Sequence, residues 1–248
     1  MILPVFAGQV LLSCVAARRP QPLTPEVLLD AFLSQPIPIS YAAQLKLWVK
    51  VDRKGRGKSK MEVFRNSTGF YSFSAKDLWG RDAMTAIIKP DSILVYYPQE
   101  DRFIRNSIER FTASDYWEWN LSPRELLEII DGGWIRNLGE VTVRPDQKDC
   151  FSYWARKGVY EVNFDLSKSE GILRDLMLFH PQGDTVQVKF KGTREYKGYL
   201  RPKLVEIRLS GSASLIKIGI LEEQFNLELP ESYFSIDLPR TAQRIPLD

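Results

Sequence analysis

The sequence has 248 residues, of which 44% are hydrophobic and 26% are charged, and its formal net charge is +3. No stretch approaches the roughly 20 consecutive apolar residues that a membrane-spanning helix needs, and the length fits one large domain or two small ones. Two cysteines and one histidine are too few for a disulfide framework or a zinc site.

The first segment, MILPVFAGQVLLSC, has the form of a bacterial lipoprotein signal. In its last four residues a small side chain precedes Cys14, whose thiol would accept the lipid. The signal is incomplete, because no basic residue follows Met1 and polar residues interrupt the apolar run. We predict lipidation at Cys14, a signal segment over residues 1–14 and a tether over residues 15–24. The alternative is an N-terminal strand with a buried cysteine.

Two segments carry helix signals. Thr24 is a good N-cap and the proline after it suits the first helical position, which predicts a helix over Pro25–Leu33. Ser122 and Glu125 form a capping box that predicts a second helix over residues 123–130.

Most of the remaining sequence alternates between apolar and polar residues, which predicts strands. Ten or more antiparallel strands with two helical insertions favour an α+β fold that is mostly antiparallel β, with helices on one face of a curved sheet. The predicted strands are residues 41–51, 61–64, 69–74, 84–89, 92–97, 102–105, 141–144, 150–156, 159–166, 172–180, 185–191, 199–209, 214–221, 225–229 and 232–238.

The sequence contains few candidates for catalytic residues. His180 stands alone at a strand end, residues 57–59 lack the earlier glycine of a phosphate loop, and residues 211–214 lack the pattern of a nucleophile elbow. We therefore predict no catalytic residue, metal or cofactor, and an enzyme with paired carboxylates is the remaining alternative in that class. Nucleic-acid binding is not predicted, because residues 53–60 are the only basic cluster.

Several predicted strands, such as residues 172–180, are apolar on both faces and therefore need cover on both. Helices can cover one face, and the rest can line a ligand cavity. The alternative is a conventional core that side chains fill completely. The predicted cavity residues are Leu45, Leu47, Val49, Ile93, Val95, Leu176, Leu178, Val188, Ile216 and Ile218.

Over about residues 25–238 the chain resembles the bacterial lipoprotein carrier and outer-membrane receptor family, the LolA and LolB type. The resemblance rests on ISYAAQLKLWVKV after the first helix, on FRNSTGFYSFSAKDLWGRDAMTAIIKPDSILVYYPQEDRFIR, and on the closing FNLELPESYFSIDL. It implies a single domain over residues 25–238, followed by a tail over residues 239–248. The fold it implies is a curved, unclosed half-barrel whose concave face is covered by a few helices and holds acyl chains.

The resemblance also implies a function without catalysis. The protein would be lipid-anchored on the periplasmic side of a bacterial outer membrane and would bind lipoprotein acyl chains or another lipid. Its partners would be lipid, the membrane surface and a periplasmic carrier protein. The alternative is a lipoprotein scaffold or assembly factor of the same fold with a filled cavity. The arginine that holds the carrier's helices cannot be assigned from the sequence.

Two surface features are candidates for membrane contact. By position, Leu78 matches the exposed leucine of the receptor's membrane loop, and Trp79 is an interfacial residue type beside it. Independently of the resemblance, residues 52–60 are predicted to form a basic hairpin turn, which offers Arg56, Lys58 and Lys60 as contacts for anionic headgroups.

Overall fold

The computed structural model describes residues 24–51, 55–77, 79–114, 121–145, 147–181, 183, 185–196 and 199–247. Cys14, Leu78 and the predicted signal and tether up to residue 23 lie outside the described residues.

Three α-helices and two short 3₁₀ helices occur in the described part of the chain. They are α1 (Pro25–Leu33), α2 (Ile108–Thr112), α3 (Pro123–Asp131) and the 3₁₀ helices Trp134–Asn137 and Glu231–Phe234. The predicted caps form. The Thr24 hydroxyl accepts a hydrogen bond from the amide of Val27. The Ser122 hydroxyl accepts one from the Glu125 amide, and the Glu125 carboxylate accepts one from the Ser122 amide. None of these helices is long and apolar enough to cross a membrane.

The described strands form one sheet of 14 members. Their bounds are β1 (Tyr41–Val51), β2 (Gly55–Arg65), β3 (Tyr71–Lys76), β4 (Asp82–Ile88), β5 (Ser92–Tyr97), β6 (Arg102–Ser107), β7 (Val141–Val143), β8 (Cys150–Lys157), β9 (Tyr160–Ser167), β10 (Leu173–Phe179), β11 (Thr185–Tyr196), β12 (Tyr199–Leu209), β13 (Leu215–Phe225) and β14 (Gln243–Arg244).

Two antiparallel meanders build this sheet. Strands β1 to β6 form one meander and β7 to β13 form the other, and they join where β1 pairs with β13. Strand β14 adds to the β6 edge in the parallel direction. In the described chain β14 and β7 are the two edges and do not pair with each other, so the sheet is an unclosed half-barrel, as predicted.

The hydrophobic core lies between the inner face of the sheet and the helices. Leu28 and Phe32 of α1, Ile130 of α3 and Trp134 belong to the same buried cluster as the inward side chains of the strands. Burying one such side chain contributes roughly 1.5–3 kcal/mol, so the helices are held mainly by apolar contact. This arrangement confirms the predicted helical cover on one face.

The structure differs from the prediction near the C-terminus. Residues 214–221 and 225–229 were predicted as two strands, but a single β13 runs through to Phe225. The strand predicted over residues 232–238 is wrong, because this segment begins with the 3₁₀ helix Glu231–Phe234. The segment packs against the sheet instead of pairing with it, since the Tyr233 ring stacks on Phe64 at 4.7 Å and Phe234 is buried.

Candidate functional site

The ten predicted cavity residues all belong to the hydrophobic core or pack against it. Eight are buried, while Leu47 and Val49 are half-buried and pack against the same cluster. The structure therefore brings these side chains together on the inner face, where neighbouring side chains fill most of the space.

A small cavity remains between the helices and the second meander. Its volume is about 60 Å³, and its apolar lining includes Phe32, Ile135, Phe190 and Leu200. An engineered cavity that binds benzene has a volume of about 150 Å³, so an acyl chain fits here only if the helices move away from the sheet. None of the ten predicted cavity residues lines this space.

Arg201 of β12 lies beside the cavity and links the sheet to the end of α3. Its guanidinium donates hydrogen bonds to the main-chain oxygens of Asp131 and, at 2.8 Å, Ile130. Its Nε donates to the carboxylate of Glu223 at 3.0 Å. A helix C-terminus carries unpaired carbonyls and a partial negative charge. The buried Arg201 cation therefore satisfies two of these carbonyls and fixes the end of α3 to the sheet.

Asp131 provides a second anchor for α3. Its carboxylate forms a 2.8 Å ion pair with Arg65 of β2 and accepts hydrogen bonds from the Tyr71 hydroxyl at 2.7 Å and the Gly133 amide at 2.8 Å. Burial raises the pKa of Asp131, and the Arg65 charge and these hydrogen bonds offset part of the rise. Burial also raises the pKa of Tyr71.

A β-bulge places Glu223 within this network. Alternation from Ile218 and Ile220 would turn Glu222 inward, but the register with β1 shifts after Ile220. Leu221 is consequently 47% exposed, and Glu223 turns inward to accept a hydrogen bond from the Tyr41 hydroxyl at 3.1 Å. Its second carboxylate oxygen pairs with Arg194 at 3.2 Å.

This network was missed by the sequence analysis. One signal was available, because Asp131 is an acid in the last turn of a helix, where the helix dipole disfavours it. Such a residue requires a cation nearby, yet the sequence could not identify Arg65 or Arg201 as that cation.

The network does not have the form of a catalytic centre. Each oxygen of the Asp131 and Glu223 carboxylates accepts from a structural donor, which leaves no acid or base directed at an open space. Within the described ranges no cluster of three or more histidine, cysteine or acidic side chains could hold a metal ion. The single histidine, His180, packs with its ring centre 5.5 Å from that of Tyr160.

The loop after β3 presents an exposed indole. Trp79 is 79% exposed, and the Arg81 guanidinium lies 5.2 Å from its ring centre. Asp77 fixes the loop by accepting hydrogen bonds from the amides of Trp79 and Arg81, both at 2.9 Å. Desolvation tends to raise the pKa of Asp77, but hydrogen bonds from Arg81, Gln99 and the Trp79 amide lower it more. The pKa of Asp77 therefore falls to about 2.

The predicted headgroup contacts lie on strand β2 rather than in a turn. Arg56, Lys58 and Lys60 are all exposed. Lys58 lies opposite Trp48, and Lys60 lies opposite Lys46 of β1 and Lys76 of β3. The structure thus brings Lys60 next to two further lysines that the sequence analysis did not single out.

Comparison with known proteins identifies the architecture. No family model and no curated protein matches the sequence. The structure is similar to a DUF1329 family protein from Desulfovibrio piger, with a TM-score of 0.66 and 11% identity over 84% of this chain and 94% of that one. A LolA superfamily protein from Nitrosomonas europaea gives a TM-score of 0.58 and 12% identity over 86% of this chain and 98% of that one.

The chain has a LolA-like fold. A third structure, a Vibrio parahaemolyticus domain described as an outer membrane lipoprotein-sorting protein, gives a TM-score of 0.59 and 11% identity, covering 84% of this chain and 94% of that one. At these identities the likeness concerns the fold, and it confirms at that level the LolA-like resemblance of the sequence.

Proposed function

We propose that this LolA-like protein binds lipoprotein acyl chains or another lipid between its helices and the concave face of its sheet, without catalysing a reaction. The observation that carries the proposal is an apolar inner face covered by helices that two buried polar contacts, from Arg201 and Arg65, tie to the sheet. The similarity to a domain described as lipoprotein-sorting supports the choice of ligand.

The structure corresponds to the closed form in this proposal. Burying an acyl chain gains about 0.8 kcal/mol per CH₂, which can replace the apolar contacts that the helices lose when they move. The arginine contacts to the end of α3 set the cost of opening, so they tune affinity and permit release.

The proposal includes a location in the bacterial envelope. Lipidation at Cys14 would anchor the chain to the outer membrane on its periplasmic side, with residues 15–24 as the tether and residues 25–238 as the binding domain. A periplasmic carrier protein would then exchange cargo with it. The lipobox form of residues 11–14 supports the anchor.

The test is a titration of the chain with a fluorescent acylated peptide. We expect saturable binding that diacylated lipopeptide competes and the unacylated peptide does not. Replacing Arg65 by Gln removes one anchor of α3 and should tighten binding severalfold, since opening then costs less. The exposed replacement Arg105→Gln is the matched control. Absence of binding by both the parent and the Arg65→Gln variant, with both folded, would contradict the proposal.

The second candidate is a scaffold or assembly factor of the same fold. The cavity of about 60 Å³ favours it, because side chains of the core already occupy the inner face. This candidate predicts that neither the parent nor the Arg65→Gln variant binds acyl chains. It predicts that the chain binds a protein partner instead.

A further inference from the structure

Three lysines lie directly opposite one another on the outer face of the first meander. Lys46 of β1 is opposite Lys60 of β2, which in turn is opposite Lys76 of β3. We call these three residues the lysine row. Directly opposed like charges destabilise a sheet, so the arrangement opposes folding unless an anion compensates for it.

No carboxylate of the described chain neutralises the lysine row, since none of its members forms an ion pair there. Elsewhere on the outer face the sheet does pair its lysines. Glu206 lies between Lys191 at 2.6 Å and Lys217 at 2.9 Å. The contrast identifies the lysine row as a surface that lacks its counter-charge.

A groove of about 540 Å³ runs along the lysine row. Lys58 adds a fourth cation to its lining. The lining contains two carboxylates, Glu62 and Asp77, and the latter is already paired with Arg81 at 2.8 Å. The groove is therefore open, positively charged and suited to several phosphate groups.

The loop that bears Trp79 borders the same groove. Gly80 is part of the groove lining, and its neighbour Trp79 is 79% exposed. An indole with an apolar body and a polar N–H prefers the headgroup level of a bilayer. A free anion or an acidic protein would satisfy the lysines but would give no role to this exposed ring.

We propose that the lysine row and the exposed indole of Trp79 form a docking surface for the phosphate headgroups of an anionic membrane. The lysines supply long-range attraction, and Trp79 inserts at the interface. This surface lies outside the cavity beneath the helices, so the inference is independent of acyl-chain binding.

The test uses the full chain with Cys14→Ser in every sample, so that acylation contributes in none. We expect the protein to sediment with vesicles of equal parts phosphatidylglycerol and phosphatidylethanolamine, less so as salt rises. Replacing Lys46, Lys60 and Lys76 by Gln should lower the partition coefficient roughly 100-fold, because each lysine near an anionic surface contributes roughly fivefold. Trp79→Ala should reduce binding and diminish the blue shift of tryptophan emission that vesicles induce.

The matched control removes three exposed charges elsewhere, with Lys89, Lys203 and Arg208 replaced by Gln. It should bind vesicles like the parent, and melting curves should show all variants folded. Equal loss in both triple variants, or equal binding to phosphatidylcholine vesicles, would overturn the proposal. Displacement by inorganic phosphate but not by chloride at matched ionic strength would reassign the groove to a free anion. Absence of vesicle binding by the parent would also overturn the proposal that this surface docks on a membrane.

Discussion

Arg201 shows how one side chain can determine the position of a helix. Its guanidinium contacts two carbonyls of α3 and a carboxylate of β13, all in the interior. Arginine suits this position because its planar fork donates several hydrogen bonds in fixed directions and stays charged when buried. A lysine could satisfy only part of the arrangement.

Replacing Arg201 by Met should therefore be strongly destabilising. Removing one partner of a buried ion pair costs about 3–5 kcal/mol, and here Glu223 would keep only Arg194 as a charged partner. The control is Arg208→Met, an exposed position on the same strand, which should change stability by less than about 0.5 kcal/mol. Urea unfolding of both variants measures the difference. Equal effects of the two replacements would show that the buried network does not hold α3.

Glu206 makes a residue-scale prediction about pH. Hydrogen bonds from Lys191 and Lys217 lower the pKa of Glu206 below its ordinary value of 4.5. A carboxyl whose pKa is lower in the folded state adds stability above pH 4.5, and this is lost as pH falls through the lowered value. The stability advantage of the parent over Glu206→Gln should thus disappear below that value. Unfolding curves between neutral pH and about pH 3 test this, and a pH-independent difference would refute it.

At the scale of elements, the strands and caps were largely predictable and the polar network was not. Alternation in residues 41–51 predicted β1 because a half-buried strand imposes a period of two. The bulge at Leu221 could not be predicted, since the register of a distant strand imposes it and the local pattern does not. The lysine row escaped prediction for the same reason. Its members are remote in sequence and meet only through strand register.

The lysine row makes a prediction for the first meander. Lys60→Glu would place a carboxylate directly opposite both Lys46 and Lys76, so that it could pair with two lysines, as Glu206 does with Lys191 and Lys217. Opposed unlike charges stabilise a sheet by roughly 0.2–1 kcal/mol per pair, so the melting temperature should rise. Vesicle binding should fall in the same variant.

A neutral replacement separates these two effects. Lys60→Gln should raise stability less than Lys60→Glu, because it removes repulsion without adding attraction. A lower melting temperature for Lys60→Glu than for the parent would show that the lysine row is not under electrostatic strain.

At the scale of the whole molecule, the C-terminal segment braces the sheet from outside. After β13 the chain passes over the outer face, adds β14 to the β6 edge, and buries Leu247 in the core. The predicted tail over residues 239–248 therefore includes sheet structure. β14 pairs with the first two residues of β6, which shortens the free edge that could pair with another chain.

Deleting residues 243–248 should expose the β6 edge and the site vacated by Leu247. Loss of one buried leucine costs about 2–5 kcal/mol, and the uncovered edge favours association through strand pairing. Thermal melting and size-exclusion chromatography measure both effects. Alanine at Gln243 and Arg244, which keeps the backbone pairing and Leu247, is the control. A truncated protein that stays monomeric and equally stable would contradict this role.

The seam between the two meanders affects how the chain must fold. β1 pairs with β13, so Tyr41 cannot meet its register partner until Phe225, near the end of the sequence, has been synthesised. A chain that is synthesised from its amino end can complete its early hairpins while one edge of β1 remains open. Contacts so distant in sequence close slowly. The interval before closure is when this protein most needs protection from aggregation.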